Sequence, residues 1–288
     1  MQFDWLRLRF AFTALERVEF PPVLAANVLR GALGVLSRRL ACGDECPGAR
    51  TCPVRGTCLY ARTFEPSPTW NVPSGLADLP RPFVFRARCL DGRTVKANED
   101  FGFDLHLFSR DPSMVEHLRQ TFDTLEQYGL GPTRGRVRLR EMAVEARSSD
   151  LRPAGKLNRI NVEFVTPTEL KAAGRLALTP EFPALFGRIR DRLSTLRALY
   201  GERPLPVDFR ALGDRAEKVC MTSWELAQQQ ILSRYSSRTG QTHPLGGFTG
   251  CATYEGELGE FLPWLQAAEA TGVGRQAVWG KGEILISH

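Results

Sequence analysis

Hydrophobic and polar positions in the first half of the chain follow the spacings of short strands and helices. Leucine or phenylalanine occupies alternate positions from 6 to 12, and this period of two is typical of a half-buried strand. Residues 23–40 instead repeat leucine at helical spacing, which predicts a helix with one buried stripe. The same criteria predict strands at 83–90, 101–108 and 136–141, and a second helix that begins at Asp111-Pro112 and ends near Tyr128.

The second half of the chain repeats this order of elements. The pattern predicts a strand at 158–165, a helix at 182–200, strands at 223–235 and 248–254, a helix at 258–270 and a strand at 277–286. Each half therefore has the order β-α-β-β-α-β, which is typical of a ferredoxin-like domain. The duplication predicts an α+β protein with tandem ferredoxin-like (RRM-like) domains. We expect an N-terminal domain at 1–150, with a Cys-rich insertion at about 41–80, and a C-terminal domain at 156–288.

A ferredoxin-like sheet has one face covered by its two helices and one open face. The apolar strand residues of the first domain must meet the helices, so the remaining strand residues are expected on the open face. That face would carry Arg7, Arg9, Asp104, His106, Arg136, Arg138 and Arg140. Arginine on a sheet surface suits contact with RNA, and an ordinary solvated face is the alternative interpretation.

The composition favours a polyanionic partner. The formal net charge is +6, the pI is about 9.1, and only five of the 38 basic residues are lysine. Arginine binds phosphate through a planar fork and stacks on bases, although a GC-rich genome would enrich arginine equally. No run of about 18 apolar residues predicts a membrane span. The N-terminus does not have the pattern of a signal peptide, so we expect a cytoplasmic location with cysteines as thiols or metal ligands.

A symmetric glycine pattern lies between the last predicted helix and the last predicted strand. It consists of Gly-Val-Gly at 272–274, five further residues, and Gly-Lys-Gly at 280–282. Glycine permits positive φ and close approach of another backbone, and successive amides in such a turn can form a nest for phosphate oxygens. Arg275 and Lys281 add positive charge at the same place. The glycine loop is therefore predicted to bind the RNA backbone.

Most of the chain resembles a known protein family, and the resemblance is most specific from about Tyr235 onward. The resemblance rests on residues 234–250, RYSSRTGQTHPLGGFTG, and on the glycine loop. Both are similar to the C-terminal domain of CRISPR-associated precursor-crRNA processing endoribonucleases of the RAMP superfamily. Residues 103–108 and Gly-Leu-Gly at 129–131 resemble the first-domain counterpart.

The resemblance implies a function as well as a fold. Such proteins bind CRISPR repeat RNA and cleave precursor crRNA without a catalytic metal. The 2′-hydroxyl attacks the adjacent phosphate and leaves a 2′,3′-cyclic phosphate and a 5′-hydroxyl. A non-catalytic RAMP subunit that holds crRNA in an effector complex, beside other CRISPR subunits, is the alternative. An RNA-binding module of the same fold outside CRISPR is a third hypothesis.

The resemblance also implies which residues form the site. Many family members use a histidine near the first helix as acid or base, but residues 23–40 contain none. Arg30 lies at about the corresponding place, Arg38 lies two helical turns beyond it, and His243 lies in the loop between two strands. These three are the predicted catalytic residues, and the arginines would act electrostatically because they do not readily release a proton. The predicted RNA-binding residues are Arg136, Arg138, Arg234, Ser236, Arg238, Gly272, Gly274, Arg275, Gly280, Lys281 and Gly282.

The remaining histidines have weaker signals. His106 shares its predicted sheet face with Asp104 and is a further candidate for the cleft. His117 is expected on a helix surface, and His288 is terminal.

Four cysteines are clustered in the insertion. Cys42, Cys46, Cys52 and Cys58 are separated by three, five and five residues. Tetrahedral zinc prefers closely spaced pairs, which only the first gap provides. A structural zinc site, with no cofactor for catalysis, is the favoured interpretation, and an iron–sulfur cluster or free thiols are the alternatives. The other cysteines, expected to be packing residues in strands, are Cys89, Cys220 and Cys251.

Overall fold

The computed structural model describes most of the 288-residue chain. The described residues are 1–42, 46, 48, 51–66, 79–172, 174–201, 203–229 and 246–288, together with the backbone of 233–235 and 242–244. Within these residues no helix is long and apolar enough to cross a membrane.

The first half forms a four-stranded antiparallel sheet with helices on one face. Its elements are β1 (Gln2–Ala14), β2 (Val18–Glu19), α1 (Ala25–Cys42), α2 (Leu59–Phe64), β3 (Phe83–Arg86), a 3₁₀ helix (Arg88–Leu90), β4 (Thr94–Val95), β5 (Asp100–Leu107), α3 (Pro112–Asp123), α4 (Leu125–Tyr128) and β6 (Val137–Asp150). The sheet has the order β3-β5-β1-β6. Leu8, Phe10 and Phe103 line its buried face and pack with α1 and α3.

The second half has the same architecture. Its elements are β7 (Arg159–Thr168), β8 (Lys171–Ala172), β9 (Arg175–Leu176), α5 (Phe182–Tyr200), α6 (Phe209–Ala216), β10 (Cys220–Gln229), β11 (Ser233–Tyr235), β12 (Thr242–Pro244), β13 (Gly247–Glu255), α7 (Leu262–Thr271), a 3₁₀ helix (Ala277–Trp279) and β14 (Ile284–Ser287). The sheet has the order β10-β13-β7-β14. Val162 and Phe164 lie on its buried face and pack with α5 and α7.

The two sheets have the same strand order. In each, the four main strands of the domain are arranged as second, third, first and fourth, so the prediction of tandem ferredoxin-like domains is confirmed. The predicted start of the second helix is also confirmed. Asp111 caps α3 by accepting a hydrogen bond from Ser113 N at 2.9 Å, and Pro112 takes the first helical position.

Two predicted strands have different bounds in the structure. β6 continues to Asp150, which lies opposite Gln2, so it pairs along the whole of β1. β6 lies at the edge of the sheet, and most of its side chains are exposed. The length of such a strand cannot be predicted from sequence, because its residues do not alternate between apolar and polar. The predicted strand at 223–235 ends at Gln229, and β11 and β12 form a separate two-stranded hairpin.

The prediction of a strand over 277–286 is wrong in its first part. Residues Ala277–Trp279 form a 3₁₀ helix, and only Ile284–Ser287 pair with β7. Gly280 and Gly282 have φ values of 86° and 70°. Because these values are left-handed, the chain turns here before it extends.

The expected open face of the first sheet is partly covered by the second domain. Arg7 Nε donates to Asp104 at 2.8 Å. Beside this pair, His106 Nδ1 donates to the main-chain oxygen of Ala270 in α7 at 2.9 Å. Val84, opposite His106 on the same face, belongs to the core of the second domain. The prediction of an open RNA-binding face is therefore wrong around His106, because the second domain packs there.

Candidate functional site

The glycine loop, residues 272–282, is a closed turn held by its own backbone. Its four glycines have φ between 68° and 86°, a range that disfavours residues with a Cβ. Val273 N donates to Gly282 O at 2.8 Å, and a Cβ on Gly282 would lie 1.9 Å from the main-chain oxygen of Val273. A Cβ on Gly274 would lie 2.2 Å from Glu169 O. Close backbone approach therefore requires glycine at these two positions.

The glycine loop packs against the N-terminal end of α1. A Cβ on Gly280 would lie 2.7 Å from the Cβ of Ala26. Val278, on the same loop, is buried in the core of the first domain. Arg30 follows Ala26 by one helical turn. The loop thus joins the two domains at the helix that carries the predicted catalytic arginines.

The amides of three loop glycines donate within the protein. Each donates to a main-chain oxygen at 2.7–3.1 Å. Gly272 N donates to Ala268 O, Gly280 N to Ala277 O and Gly282 N to Pro167 O. The structure therefore contradicts a phosphate nest built from these three amides, because their protons already meet protein oxygens. Contact of the loop surface with RNA stays a prediction.

The two cations of the glycine loop have different surroundings. Lys281 is 0% exposed, and its ammonium contacts the Glu169 carboxylate and donates to Gln276 Oε1 at 2.9 Å. Burial lowers the pKa of Lys281, although the Glu169 hydrogen bond and charge oppose this shift. Arg275 is 47% exposed and lies 3.4 Å from Glu169. The structure therefore contradicts Lys281 as a direct RNA contact and leaves Arg275 as the exposed cation of the loop.

Arg30 and Arg38 lie on the side of α1 that faces the Cys-rich insertion. The Arg30 guanidinium is 5.7 Å from the ring centre of Phe64 in α2. Arg38 Nη2 donates to Cys46 O at 2.7 Å. Gly34, between the two arginines, would place a Cβ 3.1 Å from Phe64. The insertion therefore orients both side chains, and their catalytic role stays a prediction.

Arg136 and Arg138 are exposed but paired with carboxylates of their own domain. Arg136 Nη2 is 2.8 Å from Glu16, and Arg138 Nη2 is 2.8 Å from Glu126. RNA contact by either residue stays a prediction and requires exchange of a surface ion pair, which is weak in water.

Two histidines are internal. Burial lowers the pKa of His106 to about 4, so at neutral pH its ring is uncharged. His117 is 4% exposed, its Nε2 lies 2.7 Å from Ser37 Oγ of α1, and burial lowers its pKa. The surface position expected for His117 is therefore wrong, because α3 turns this residue toward α1.

Two of the remaining predicted residues lie in the paired strands β11 and β12. Arg234 lies opposite His243 in the backbone register, so the structure brings these two positions together. Ser236 and Arg238 lie outside the described residues.

The cysteine cluster does not present an arranged metal site. Cys42 and Cys46 share a side-chain hydrogen bond, which raises the pKa of Cys42. Among the described residues no group of three or more potential ligands is placed to hold a metal ion, so the zinc prediction is not supported. The packing role expected for Cys89, Cys220 and Cys251 is wrong, because all three residues are exposed.

Three side chains bind the C-terminal carbonyls of α7, immediately before the glycine loop. Arg86 Nη2 donates to Glu269 O at 2.7 Å, His106 Nδ1 to Ala270 O at 2.9 Å and Arg192 Nε to Thr271 O at 2.9 Å. The end of a helix carries partial negative charge and free carbonyls, which such donors satisfy. Sequence reasoning missed Arg86 and Arg192, since no spacing marks a pair brought together by tertiary packing.

Two family models match the chain. The model described as CRISPR-associated endoribonuclease Cas6 matches residues 162–284. A model described as an N-terminal domain, AF_1859_N, matches residues 3–162. A search of curated proteins gives no match.

Several solved structures share the fold. Thermus thermophilus Cas6 (TTHB231) has a TM-score of 0.58 and 18% identity, covering 100% of this chain and 99% of that chain. Its product complex has a TM-score of 0.59 and 18% identity, covering 98% and 100%. A product complex of Cas6 (TTHA0078) has a TM-score of 0.58 and 17% identity, covering 99% and 100%. At these identities the likeness shows the fold.

Proposed function

We propose that this chain, whose residues 162–284 match the model described as CRISPR-associated endoribonuclease Cas6, binds CRISPR repeat RNA and cleaves precursor crRNA without a catalytic metal. In this reaction a ribose 2′-oxygen bonds to the adjacent phosphorus, and the bond from that phosphorus to the 5′-oxygen breaks. The 2′-hydroxyl loses a proton and the 5′-oxygen gains one. The products are a 2′,3′-cyclic phosphate and a 5′-hydroxyl, and no water is consumed.

The contact between the glycine loop and α1 is the observation that carries this proposal. Gly280 meets Ala26, and Arg30 follows one turn later on the same helix. Arg275 adds an exposed guanidinium from the loop. The second domain therefore meets the first at the helix that carries Arg30, and a cation near this contact would stabilise a phosphodiester in its transition state.

Arg30 and Arg38 are proposed to act on the phosphate through their charge. A guanidinium keeps its proton at any ordinary pH, so it can stabilise the negative charge that grows on the phosphorane. The Arg30 guanidinium lies over the Phe64 ring, and Arg38 is tied to Cys46 O. These contacts limit the rotation of both side chains and so favour a fixed position at the substrate.

His243 is proposed mainly to contact RNA, with a secondary role in proton transfer near the scissile phosphate. His106 and His117 are both committed to hydrogen bonds inside the protein. The unperturbed pKa of histidine, about 6.5, suits proton transfer near neutral pH. Its hairpin partner Arg234, with Ser236 and Arg238, would bind the RNA backbone beside it.

A non-catalytic subunit that holds crRNA is the second candidate function. One observation favours it, because α1 has no histidine and His106 lies with its ring against α7 rather than toward α1. The fold, the contact between the glycine loop and α1, and the proposed RNA-binding residues would serve such a subunit equally.

Incubation of the purified chain with the repeat RNA of its own CRISPR locus, in EDTA, separates the two. We expect a single cut within the repeat, at the same rate with and without magnesium. Tight binding without any cut would favour the non-catalytic subunit, and the absence of binding would contradict both.

A further inference from the structure

Trp224 is an exposed aromatic residue at the edge of the second sheet. Its side chain is 56% exposed. In β10 it lies opposite Ala252 of β13, which is buried under the helices, so Trp224 lies on the helix-covered face. β10 is an edge strand, and the indole is therefore left open to solvent on a surface where an apolar group would ordinarily be covered.

The segment before α5 crosses the same face beside Trp224. Gln228 donates to Leu178 O at 3.5 Å and Tyr254 donates to Pro180 O at 2.6 Å. Gln228 follows Trp224 by four residues in β10, and Tyr254 lies opposite Met221 on its other side. The segment is thus tied on both sides of Trp224, and Leu178 is 78% exposed.

The β8–β9 hairpin joins this surface to the glycine loop. Leu170, directly before the hairpin, would be 3.3 Å from a Cβ on Gly274. Lys171 and Arg175 of the hairpin are exposed, and Leu176 is 53% exposed. We define the β8–β10 patch as Lys171, Arg175, Leu176, Leu178, Trp224 and Gln228. The chain runs from the two cations through Leu176 to Leu178, whose main-chain oxygen accepts from Gln228 of the strand that carries Trp224.

The opposite face of the second sheet has the wrong charge for RNA. Glu163 and Glu225 flank Cys251 there, and burial together with these two charges raises the pKa of the Cys251 thiol. A phosphate backbone would be repelled by the same carboxylates. The surface with Lys171 and Arg175 therefore suits a polyanion better than the acidic region around Cys251.

We propose that the β8–β10 patch binds a single-stranded segment of the RNA substrate, with one base stacked on Trp224 and the neighbouring phosphates near Lys171 and Arg175. The inference rests on the proposed function and adds to it a binding surface away from α1. Aromatic rings stack on any base, and cations beside them follow the backbone, which is the usual chemistry of single-strand binding.

The test compares Trp224 variants of the full chain by fluorescence anisotropy. The probes are labelled oligoadenylate of about eight nucleotides and repeat RNA that keeps its single-stranded flank. We expect Trp224→Ala and Trp224→Leu to weaken binding of both by about five- to 150-fold, the ratio equivalent to 1–3 kcal/mol per stacked base. Trp224→Phe should bind within a few fold of wild type, because it keeps an aromatic face.

The same binding assay measures the contribution of the two cations and includes a control variant. The double variant Lys171→Gln, Arg175→Gln should reduce the slope of log affinity against log salt by about 1.4, which is two contacts at about 0.7 each. Val144→Ala removes an apolar side chain of similar exposure, 50% against 56% for Trp224, from the first domain and should leave RNA affinity unchanged.

Unchanged affinity in Trp224→Ala and Trp224→Leu, while wild type binds and cleaves repeat RNA, would overturn the patch and leave the proposed function intact. Failure of wild type to bind repeat RNA would contradict both the proposed function and RNA binding at the β8–β10 patch. Melting temperatures close to that of wild type show that the variants are folded, as the exposure of Trp224 leads us to expect.

Discussion

His106 Nδ1 donates a hydrogen bond of 2.9 Å to the main-chain oxygen of Ala270, 164 residues later in the chain. Arg86 and Arg192 bind the carbonyls on either side. The glycine loop begins directly after these three carbonyls, so the bonds fix how the loop leaves α7. His106 is a candidate site residue in the sequence. In the folded protein its hydrogen bond stabilises the contact between the first domain and α7 of the second.

Replacement of His106 by leucine should destabilise the protein by about 1–3 kcal/mol, because a buried carbonyl loses its donor. His106→Asn keeps a donor near the position of Nδ1 and should recover most of the loss. Urea unfolding of the three proteins measures this. Equal stability of His106→Leu and wild type would contradict a structural role for the bond.

The stability of wild type should fall as the pH decreases from about 6.5 to about 4. Burial lowers the folded pKa of His106 to about 4, whereas the unfolded ring titrates near 6.5. The unfolded state binds the proton first in this window, so acid favours unfolding. The contribution of His106 amounts to at most about 3 kcal/mol, and it should be missing from the pH dependence of His106→Asn. Parallel curves for both proteins would show that His106 is not perturbed.

Substitution of Gly282 should destabilise the protein even in the absence of RNA, because this glycine closes the turn of the glycine loop. Alanine there would have a left-handed φ of 70° and a Cβ 1.9 Å from Val273 O, so we expect a loss of more than about 2 kcal/mol. Gly31→Ala is the matched control, since nothing lies within 4 Å of its new Cβ. It should stabilise α1 by about 0.5–1 kcal/mol. Thermal melts distinguish the two, and a harmless Gly282→Ala would show that the turn can rearrange.

Glu169→Ala should be more damaging than Lys281→Met. Removal of the carboxylate leaves a buried ammonium without its counter-charge, which typically costs about 3–5 kcal/mol, whereas an apolar replacement of similar volume removes the charge itself. Unfolding free energies compare the two variants. Repeat-RNA affinity of Lys281→Met should equal that of wild type, and a large loss of affinity in a stable Lys281→Met protein would restore Lys281 as an RNA contact.

Much of the fold could be predicted from local pattern. Alternation in β1 and the Asp111-Pro112 start of α3 depend on neighbours in sequence, and both are found in the structure. The contacts that position the site are not local. Asp91, for example, accepts from Ala25 N at the start of α1 at 2.7 Å, 66 residues away. No spacing along the chain reveals such a contact.

The environments of the two cations in the glycine loop also could not be predicted from the sequence alone. Lys281 and Arg275 are equivalent in sequence, since both are cations in a glycine-rich loop. Only the fold places Glu169 where it neutralises the buried Lys281 and leaves Arg275 exposed. The edge position of β6 likewise removed the apolar alternation from which its length is read.

Arg30→Ala should slow cleavage by about 10²–10³-fold and leave repeat affinity within a few fold, because its charge is required mainly in the transition state. His243→Ala should weaken binding more than chemistry, since we place it in the hairpin that contacts RNA. Single-turnover rates at saturating enzyme separate these effects. Normal cleavage by Arg30→Ala, with a collapse of rate in His243→Ala or His106→Ala, would show that the roles are assigned wrongly.

Attack by the 2′-hydroxyl is tested most directly with repeat RNA that carries one 2′-deoxynucleotide immediately 5′ of the mapped cleavage site. The chain is incubated with this RNA and with its all-ribose counterpart in EDTA. We expect equal binding of both, no cleavage of the deoxy-substituted RNA, and a 2′,3′-cyclic phosphate on the product of the all-ribose RNA. Cleavage of the deoxy-substituted RNA, or a product with a 3′-hydroxyl end, would contradict attack by the 2′-hydroxyl.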